Sequence, residues 1–349
     1  MTHRVWRRDA GLALAELGVP AVVPGDGRVV VRVEGAALEP WAATAPGRVP
    51  GLAAVGNVVT TGNAAAEWLG ARVVVPTLAP CGECDCCRRG GAALCPDGAS
   101  HGIDGPGTLA TTVTAAARWL VRLEPSDSRP ATRAGMAGGA GMGRVTMDVP
   151  GPAAAALGGE LALAYALYAR AGVGPRDPVI VWGRGAVARA TAAILAAKGA
   201  PAHVATDDAA LAAALGAAAG PATAAAAIAA LTSHDARRPR KVIVTAPELL
   251  LPALAAAGPR ATVVVLTAPG TSYAPAADLG AALAAEITMT GVAGCHPDLV
   301  PELVALVVRG DLALDDLVEV VALDDLPARL VARAAARPPT TLVVALPAV

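Results

Sequence analysis

The stretch Cys81-Gly-Glu-Cys84-Asp-Cys86-Cys87-Arg-Arg-Gly-Gly-Ala-Ala-Leu-Cys95 holds five of the six cysteines of the chain. Cys81, Cys84, Cys87 and Cys95 have the spacing C-x2-C-x2-C-x7-C, in which four thiolates can surround one tetrahedral Zn²⁺. A closed shell of four sulfurs is typical of a structural zinc site. Cys86 breaks the spacing, and we interpret it as a spare thiol. The stretch therefore predicts one structural zinc per chain.

The alternative interpretation is a disulfide-rich loop of a secreted protein. Secreted disulfide frameworks belong mostly to small domains, whereas these cysteines are crowded into one short stretch of a 349-residue chain. Arg7-Arg8 near the N-terminus is followed by an apolar stretch that Asp9 and Glu16 interrupt, so no signal peptide is visible. We expect a cytoplasmic, thiol-reducing location.

The composition argues against nucleic-acid and membrane partners. The net charge is -1 and there is no basic block, which is unlike a nucleic-acid-binding surface. The hydrophobic fraction of 54% consists largely of alanine. The uncharged run 209–233 is broken by Gly216, Gly220 and Pro221, so it predicts short helices and a turn rather than a membrane span.

The first part of the chain predicts a β-rich domain. Runs rich in β-branched residues at 28–33, 53–61 and 71–76 are separated by Gly and Pro, and 110–121 is also strand-like, which favours a small barrel-like domain. The Gly- and Met-rich stretch 126–150 is either a loop that closes over a site or a plain surface insertion, since loops of that length are often functional or disordered.

A second motif, Asp177-Pro-Val-Ile-Val-Trp-Gly183-Arg-Gly185-Ala-Val-Ala188, predicts a buried strand, a glycine turn and a helix. Its pattern G-x-G-x-x-A is typical of dinucleotide-binding folds. There the first glycine makes the turn, the second lets the backbone approach the pyrophosphate, and the helix N-terminus faces the phosphates. The predicted cofactor-binding residues are Gly183, Arg184, Gly185, Ala186, Val187, Thr206 and Asp207.

The end of the next predicted strand, 202–206, decides which nicotinamide cofactor is expected. An acid at this point binds the ribose 2′-hydroxyl of NAD, and Asp207-Asp208 stands about 20 residues beyond the glycines, as the motif requires. Two carboxylates would repel a 2′-phosphate, so NAD(H) is expected in preference to NADP(H). The alternative is that Thr206 occupies the acid's place. Further strands alternating with helices predict a parallel, doubly wound sheet.

Together, the cysteine stretch and the glycine motif resemble the medium-chain dehydrogenase/reductase superfamily, in its zinc-type alcohol dehydrogenase branch, over nearly the whole chain. The resemblance implies an α/β protein with two domains. A GroES-like β-rich catalytic domain would span 1–160 and 295–349, with the zinc lobe at 81–95, and a Rossmann doubly wound parallel-sheet cofactor domain would span 161–294. It also implies a nicotinamide cofactor, a small-molecule substrate, and a homodimer or homotetramer.

The resemblance fails at the catalytic zinc of that family. The three ligand positions fall on Glu39, Leu52 and Gly159, and Trp41 replaces the proton-relaying hydroxyl. Leucine and glycine side chains cannot bind Zn²⁺, which takes three protein ligands in an open catalytic site. The sequence therefore predicts a nicotinamide cofactor without a catalytic zinc.

Without a Lewis acid, hydride transfer to an unactivated carbonyl loses several kcal/mol of charge stabilisation. We therefore expect an NAD(P)-dependent oxidoreductase that acts on an activated C=C, C=O or C=N substrate, of a kind used in specialised metabolism. The alternatives are a non-redox enzyme that uses acid–base elimination or cyclisation, and a non-catalytic binding protein.

The candidates for acid–base work are Glu39, Glu160, His101, Tyr165 and the pair Cys295-His296, of which the first three are kept as catalytic predictions. Glu39 ranks first because the resemblance places it in the cleft. His101 follows the cysteines in a Gly-rich loop and is expected to be exposed. Tyr165 and Tyr168 are interpreted as packing residues on an Ala-rich helix, and Cys295-His296 as a loop dipeptide without a third triad member.

Overall fold

The computed structural model describes residues 3–9, 14–19, 23–38, 46–123, 149, 151–175, 177–200, 202–232, 238–267, 279–336 and 338–347. Glu39 and Trp41 lie outside these residues, and so does the stretch 126–150 except for Val149. The predictions made for them stay predictions.

The described strands and helices follow one another as a β-rich part, an alternating part and a mixed C-terminal part. The strands are β1 (His3–Arg8), β2 (Leu14–Val19), β3 (Arg28–Leu38), β4 (Ala53–Thr61), β5 (Arg72–Val75), β6 (Leu78–Ala79), β7 (Ala99–Ser100), β8 (Thr112–Ala116), β9 (Val121–Arg122), β10 (Val179–Trp182), β11 (Ala202–Thr206), β12 (Ala219–Pro221), β13 (Lys241–Val244), β14 (Thr262–Leu266), β15 (Thr288–Val292), β16 (Val318–Ala322) and β17 (Thr341–Ala345). The α-helices are α1 (Asp85–Arg88), α2 (Glu160–Ala171), α3 (Gly185–Ala197), α4 (Ala209–Leu215), α5 (Ala224–Thr232), α6 (Leu250–Ala256), α7 (Leu279–Ala284), α8 (Val300–Val308) and α9 (Leu326–Ala336).

A seven-stranded sheet forms the first part, in the order β16-β17-β3-β4-β5-β9 with β8 also paired to β3. The long strand β3 buries Val29, Val31 and Val33 on one face, as an alternating β-branched run should. The strand predicted over 28–33 continues to Leu38, because its second half pairs with both β4 and β17. The hairpin β1–β2 was not predicted.

The C-terminal strand β17 returns to this sheet and pairs antiparallel with β3, with Leu342 opposite Leu38. Both ends of the chain thus contribute to one sheet, although the domain boundaries drawn from the sequence remain predictions.

A second, six-stranded sheet has the order β12-β11-β10-β13-β14-β15, and all of its pairings are parallel. The four residues of β10 are fully buried, which explains why the strand reads as a continuous apolar run. The doubly wound sheet predicted from the sequence is confirmed. Because the chain order reverses between β10 and β13, a crevice is expected at the carboxyl ends of these two strands.

Helix α2 and the 3-10 helix before it (Pro152–Gly158) lie between the two sheets and supply much of the central core. Tyr165 is 1% exposed, its ring lies 5.5 Å from that of Tyr168, and its hydroxyl donates to Glu302 Oε2 at 2.5 Å. The packing role expected of these tyrosines is confirmed. In the part of the chain that the structure describes, every helix is too short or too polar to cross a bilayer.

Candidate metal centre and cofactor cleft

The four cysteines of the predicted spacing converge. Their sulfurs all lie within 4.8 Å of one another, with 3.9 Å between Cys81 Sγ and Cys87 Sγ and 3.8 Å between Cys84 Sγ and Cys95 Sγ. Four sulfurs at about 2.3 Å from one Zn²⁺ would be about 3.8 Å apart in a tetrahedron, so the donor set fits zinc. Within the described ranges, no other cluster of three or more His, Cys, Asp or Glu side chains is placed to hold a metal.

Backbone amides donate to Cys81 Sγ and Cys84 Sγ, two of these sulfurs. The N–H groups of Cys84 and Glu83 donate to Cys81 Sγ at 3.3 Å and 3.5 Å, and the N–H of Cys87 donates to Cys84 Sγ at 3.4 Å. The first two bonds hold the pKa of Cys81 down at about 7. Gly82 makes the tight turn with a φ of +78°. Cys86 stands outside the group of four, as predicted.

The zinc lobe (residues 81–95) is tied to the rest of the chain by Trp119. The indole Nε1 donates to Pro80 O at 2.8 Å, and the ring meets the His296 ring edge-on at a centroid distance of 5.8 Å. His296 Nδ1 in turn accepts a hydrogen bond from Asp298 N at 3.2 Å. Burial raises the pKa of Cys295 to about 12, so its thiol is unreactive. Through His296, the dipeptide Cys295-His296 thus packs against Trp119 beside the zinc lobe.

The predicted glycine turn connects β10 to α3. A Cβ on Gly183 would lie 1.9 Å from Thr245 Oγ1 and 2.8 Å from Ala188 Cβ, so no larger residue fits without a shift of the backbone. Gly185 has a φ of +63°, and a Cβ built on it meets nothing within 4 Å. The first glycine is thus required by packing, and the second leaves open space at the helix N-terminus.

The two residues at and after the end of β11, Thr206 and Asp207, have different surroundings. Thr206 is 5% exposed, and its hydroxyl accepts a hydrogen bond from Asp208 N at 3.0 Å, so it does not replace the acid. Asp208 caps α4 through Ala210 N and also accepts from Gly185 N at 3.0 Å. Asp207 is half exposed at the strand end. It is therefore the carboxylate that is available to a ligand.

Two features of the crevice were missed from the sequence. Arg184, the residue between the two glycines, forms an ion pair with Asp207. Thr245 follows β13 and is 8% exposed, and its Oγ1 has no hydrogen-bond partner among the described residues. A buried hydroxyl without a partner beside a glycine turn suits a polar ligand, because leaving it unpaired costs free energy. The glycine turn and this hydroxyl thus lie at the strand ends where dinucleotides bind in sheets of this kind.

A third group of residues forms what we call the cleft corner, made by Ala37, Leu52, Ala53 and Gly159. Leu52 N donates to Ala37 O at 2.8 Å, and a Cβ on Gly159 would lie 3.6 Å from Ala37 Cβ and 3.8 Å from Ala53 Cβ. Leu52 is 8% exposed. The structure thus brings together two of the three positions that the resemblance aligned, and β3 ends at Leu38, immediately before Glu39.

Glu160 begins α2 directly after Gly159 and is 8% exposed. Its Oε2 accepts a hydrogen bond from Thr341 Oγ1 at 2.8 Å, and Thr341 is 1% exposed. Leu342, the next residue, lies opposite Leu38. The carboxylate of Glu160 is therefore a buried acid at the edge of the cleft corner.

His101 is half-buried, which corrects the prediction that it is exposed. The backbone N–H of His101 donates to Thr77 O at 2.9 Å. A Cβ on the next residue, Gly102, would lie 2.7 Å from Gly51 O. The loop is thus folded onto the backbone just before Leu52. Burial lowers the pKa of His101, although a hydrogen bond with the Pro106 backbone raises it. The imidazole is neutral at pH 7.

Two half-buried histidines, His101 and His203, predict how the free energy of unfolding depends on pH. Burial lowers the pKa of His203 as well, and its Nε2 has no described partner. Since the folded pKa lies below the unfolded value of 6.5, the unfolded chain binds more protons at low pH. We expect the free energy of unfolding to be constant above about pH 7 and to fall as the pH drops below about 6.5. Urea unfolding at several pH values measures this. The slope should be smaller in His203→Gln, and a flat profile in the wild type would contradict the prediction.

One surface depression lies away from these residues. It has a volume of about 290 Å³ and is lined by residues that include Asp177, Lys241 and Arg260. These residues precede or begin strands of the parallel sheet, so the depression is at the amino edge of the sheet, opposite the glycine turn. It is not part of the cleft.

Residues 21–125 match the family model of the alcohol dehydrogenase GroES-like domain. A search of curated protein sequences finds no match. Among solved structures, the alcohol dehydrogenase TADH from Thermus sp. ATN1 matches with a TM-score of 0.80 and 20% identity over 99% of this chain and 100% of that one.

Two further neighbours were solved with a nicotinamide cofactor. A short chain alcohol dehydrogenase from Escherichia coli CFT073, complexed with NADH, has a TM-score of 0.79 and 15% identity over 99% of this chain and 100% of its own. A Sinorhizobium meliloti 1021 protein bound to NADP has a TM-score of 0.74 and 18% identity, covering 99% of both chains. The predicted fold class is confirmed, and the match of residues 21–125 to the alcohol dehydrogenase GroES-like domain agrees with the resemblance stated above.

Proposed function

We propose that the chain is an NAD(P)-dependent oxidoreductase of the medium-chain dehydrogenase/reductase type that works without a catalytic zinc. The observation that carries the proposal lies at the carboxyl ends of β10 and β13, where the open turn at Gly185 stands at a helix N-terminus and the buried Thr245 hydroxyl has no hydrogen-bond partner among the described residues. The NADH and NADP complexes of two structural neighbours support the cofactor class.

Each part of the cofactor would be held by particular residues of the chain. The N–H groups of Ala186 and Val187, in the first turn of α3, would bind the pyrophosphate, since helix N-termini favour anions. Asp207 would accept from the adenosine ribose, and Thr245 would gain the hydrogen bond that it lacks. The bound cofactor supplies or accepts the hydride.

The residues at the cleft corner limit which class of substrate can react. The side chain of Leu52 has no donor atom and Gly159 has no side chain, so two of the three aligned positions cannot hold Zn²⁺. Negative charge that develops on the substrate would then lack a Lewis acid. A small molecule with an activated C=C, C=O or C=N bond carries its own electron sink. This is the substrate class that we propose.

The reaction also needs a proton. Glu160 lies at the cleft corner as a buried acid, and His101 lies in the loop that packs on Gly51, immediately before Leu52. Glu39 follows Leu38 in the sequence and remains the first candidate from the resemblance. A positioned acid or base at this corner would complete the addition of hydride and proton.

The proposal is tested by titrating NADH against the purified chain and following the fluorescence of the bound cofactor. We expect saturable binding at one site per chain. Gly183→Ala should abolish it, because the added Cβ would lie 1.9 Å from Thr245 Oγ1. Gly25→Ala is the matched control, since a Cβ there meets nothing within 4 Å. Consumption of NADH is then measured with a panel of enones, quinones and cyclic imines.

The outcomes separate the three readings of the sequence. Binding with consumption of NADH supports the proposal. Binding without consumption of NADH by any member of the panel would favour the non-redox enzyme. A wild-type chain that does not bind NADH would contradict the proposal and favour a binding protein.

We further propose a homodimer or homotetramer. Strand β15 is the last strand of the parallel sheet, and Met289 on it is 49% exposed. An exposed edge strand is a ready surface for pairing with a second copy. Light scattering that gives the mass of one chain at working concentration would contradict this.

A further inference from the structure

The side chain of Arg184 spans the crevice. Its Nε and Nη2 donate to Asp207 Oδ1 and Oδ2 at 2.5 Å each, and its Nη1 donates to Glu248 Oε2 at 3.3 Å. Arg184 comes after β10, Asp207 after β11 and Glu248 after β13. The guanidinium thus joins the carboxyl ends of three strands at the place where a dinucleotide is expected to lie.

Asp207, the acid that would bind the ribose, is therefore already paired with the guanidinium of Arg184. The two-point bond to Asp207 raises the pKa of Arg184, and the same bond lowers the pKa of Asp207. The ion pair stays accessible, because the side chains of Arg184 and Asp207 are 40% and 49% exposed. Exposed ion pairs are weak, so a stronger anion can take the place of the carboxylate.

We propose that Arg184 is a specificity-determining residue that exchanges Asp207 for the 2′-phosphate of NADP(H), so that the cleft binds both cofactors and prefers NAD(H). This inference rests on the proposed function of the crevice. A guanidinium has five N–H donors in a planar fork that matches a phosphate, which makes arginine well suited to this exchange.

The preference for NAD(H) follows from the neighbouring charges. A carboxylate offers about four lone-pair positions, so Asp207 can accept from a ribose hydroxyl while it stays paired with Arg184. NAD(H) therefore binds without breaking the ion pair. NADP(H) must break it, and its phosphate then lies near the released Asp207 and near Glu248. One arginine offsets this repulsion only in part.

The test is to titrate NADH and NADPH against the wild type, Arg184→Gln and Asp207→Asn by cofactor fluorescence. Arg184→Gln should lower the affinity for NADPH about tenfold or more, which is the effect of losing a hydrogen bond to a charged group. The same variant should change the affinity for NADH less than about threefold. Asp207→Asn should have the opposite effect: the affinity for NADPH should rise about tenfold, and the affinity for NADH should fall about tenfold. The affinity for NADPH should also fall more steeply with salt than that for NADH.

Arg189→Gln, which removes the same charge from α3 five residues further along the chain, is the control and should leave the ratio of the two affinities unchanged. Equal weakening of both cofactors in Arg184→Gln would overturn the inference alone, because it would mean that Arg184 only shapes the turn. No gain of NADPH affinity in Asp207→Asn would overturn it as well. A wild-type chain that binds neither cofactor would overturn the proposed function and this inference with it.

Discussion

Replacing Cys87 by serine is expected to release zinc and unfold the zinc lobe. Cys87 is one of the four sulfurs that lie within 4.8 Å of one another, and a structural zinc site contributes its binding free energy to folding. In zinc-finger peptides that free energy is about 10–16 kcal/mol at pH 7. We expect Cys87→Ser to contain no zinc by elemental analysis and to have a clearly lowered Tm.

Cys86→Ser is the matched control, since it changes the adjacent cysteine and leaves the four ligands in place. It should retain zinc and the wild-type Tm. The assignment of the four ligands would be wrong if Cys87→Ser kept its zinc, or if Cys86→Ser lost it. Trp119 lies between the lobe and His296, so its fluorescence should report the unfolding of the lobe.

Loss of the proton-transferring group at the cleft corner is expected to have the second-largest effect. A positioned acid or base contributes about 10²–10⁴-fold in rate. We expect Glu39→Gln to lower the turnover of NADH with an activated substrate by about that factor, while the affinity for NADH and the zinc content stay unchanged. Stopped-flow measurement of NADH consumption, with cofactor titration alongside, separates these effects.

Glu160→Gln and His101→Asn are the comparison variants. The amide oxygen of glutamine can still accept the hydrogen bond from Thr341, so Glu160→Gln removes the charge while the contact is kept. If Glu39→Gln retains full activity and one of the other two loses it, the proton comes from that residue. Full activity in all three variants would contradict a protein acid at this corner.

The sequence predicted those parts of the site that depend on neighbours along the chain. The cysteine spacing fits within fifteen residues, and the glycine turn is fixed by the strand and the helix on either side of it. The parallel sheet followed from alternating strands and helices, since parallel strands need crossover connections. These predictions needed no knowledge of which distant residues meet.

Contacts between distant parts of the chain were not predicted. The charge at Asp207 was interpreted from the residues that follow it, whereas its partner Arg184 precedes it by 23 positions. His101 is half-buried because Gly102 packs on Gly51, which a Gly-rich loop does not reveal. The hairpin β1–β2 was missed because Arg4, Arg7 and Arg8 interrupt its apolar pattern.

The central claim is tested most directly by measuring the zinc content of the wild-type protein in a preparation that binds NADH. The claim is that the cleft uses a nicotinamide cofactor while zinc is confined to Cys81, Cys84, Cys87 and Cys95. Elemental analysis of such protein should return one zinc per chain, and chelators too weak to strip the zinc lobe should leave the consumption of NADH unchanged. Two zinc ions per chain, with consumption lost when the weaker one is removed, would contradict the account.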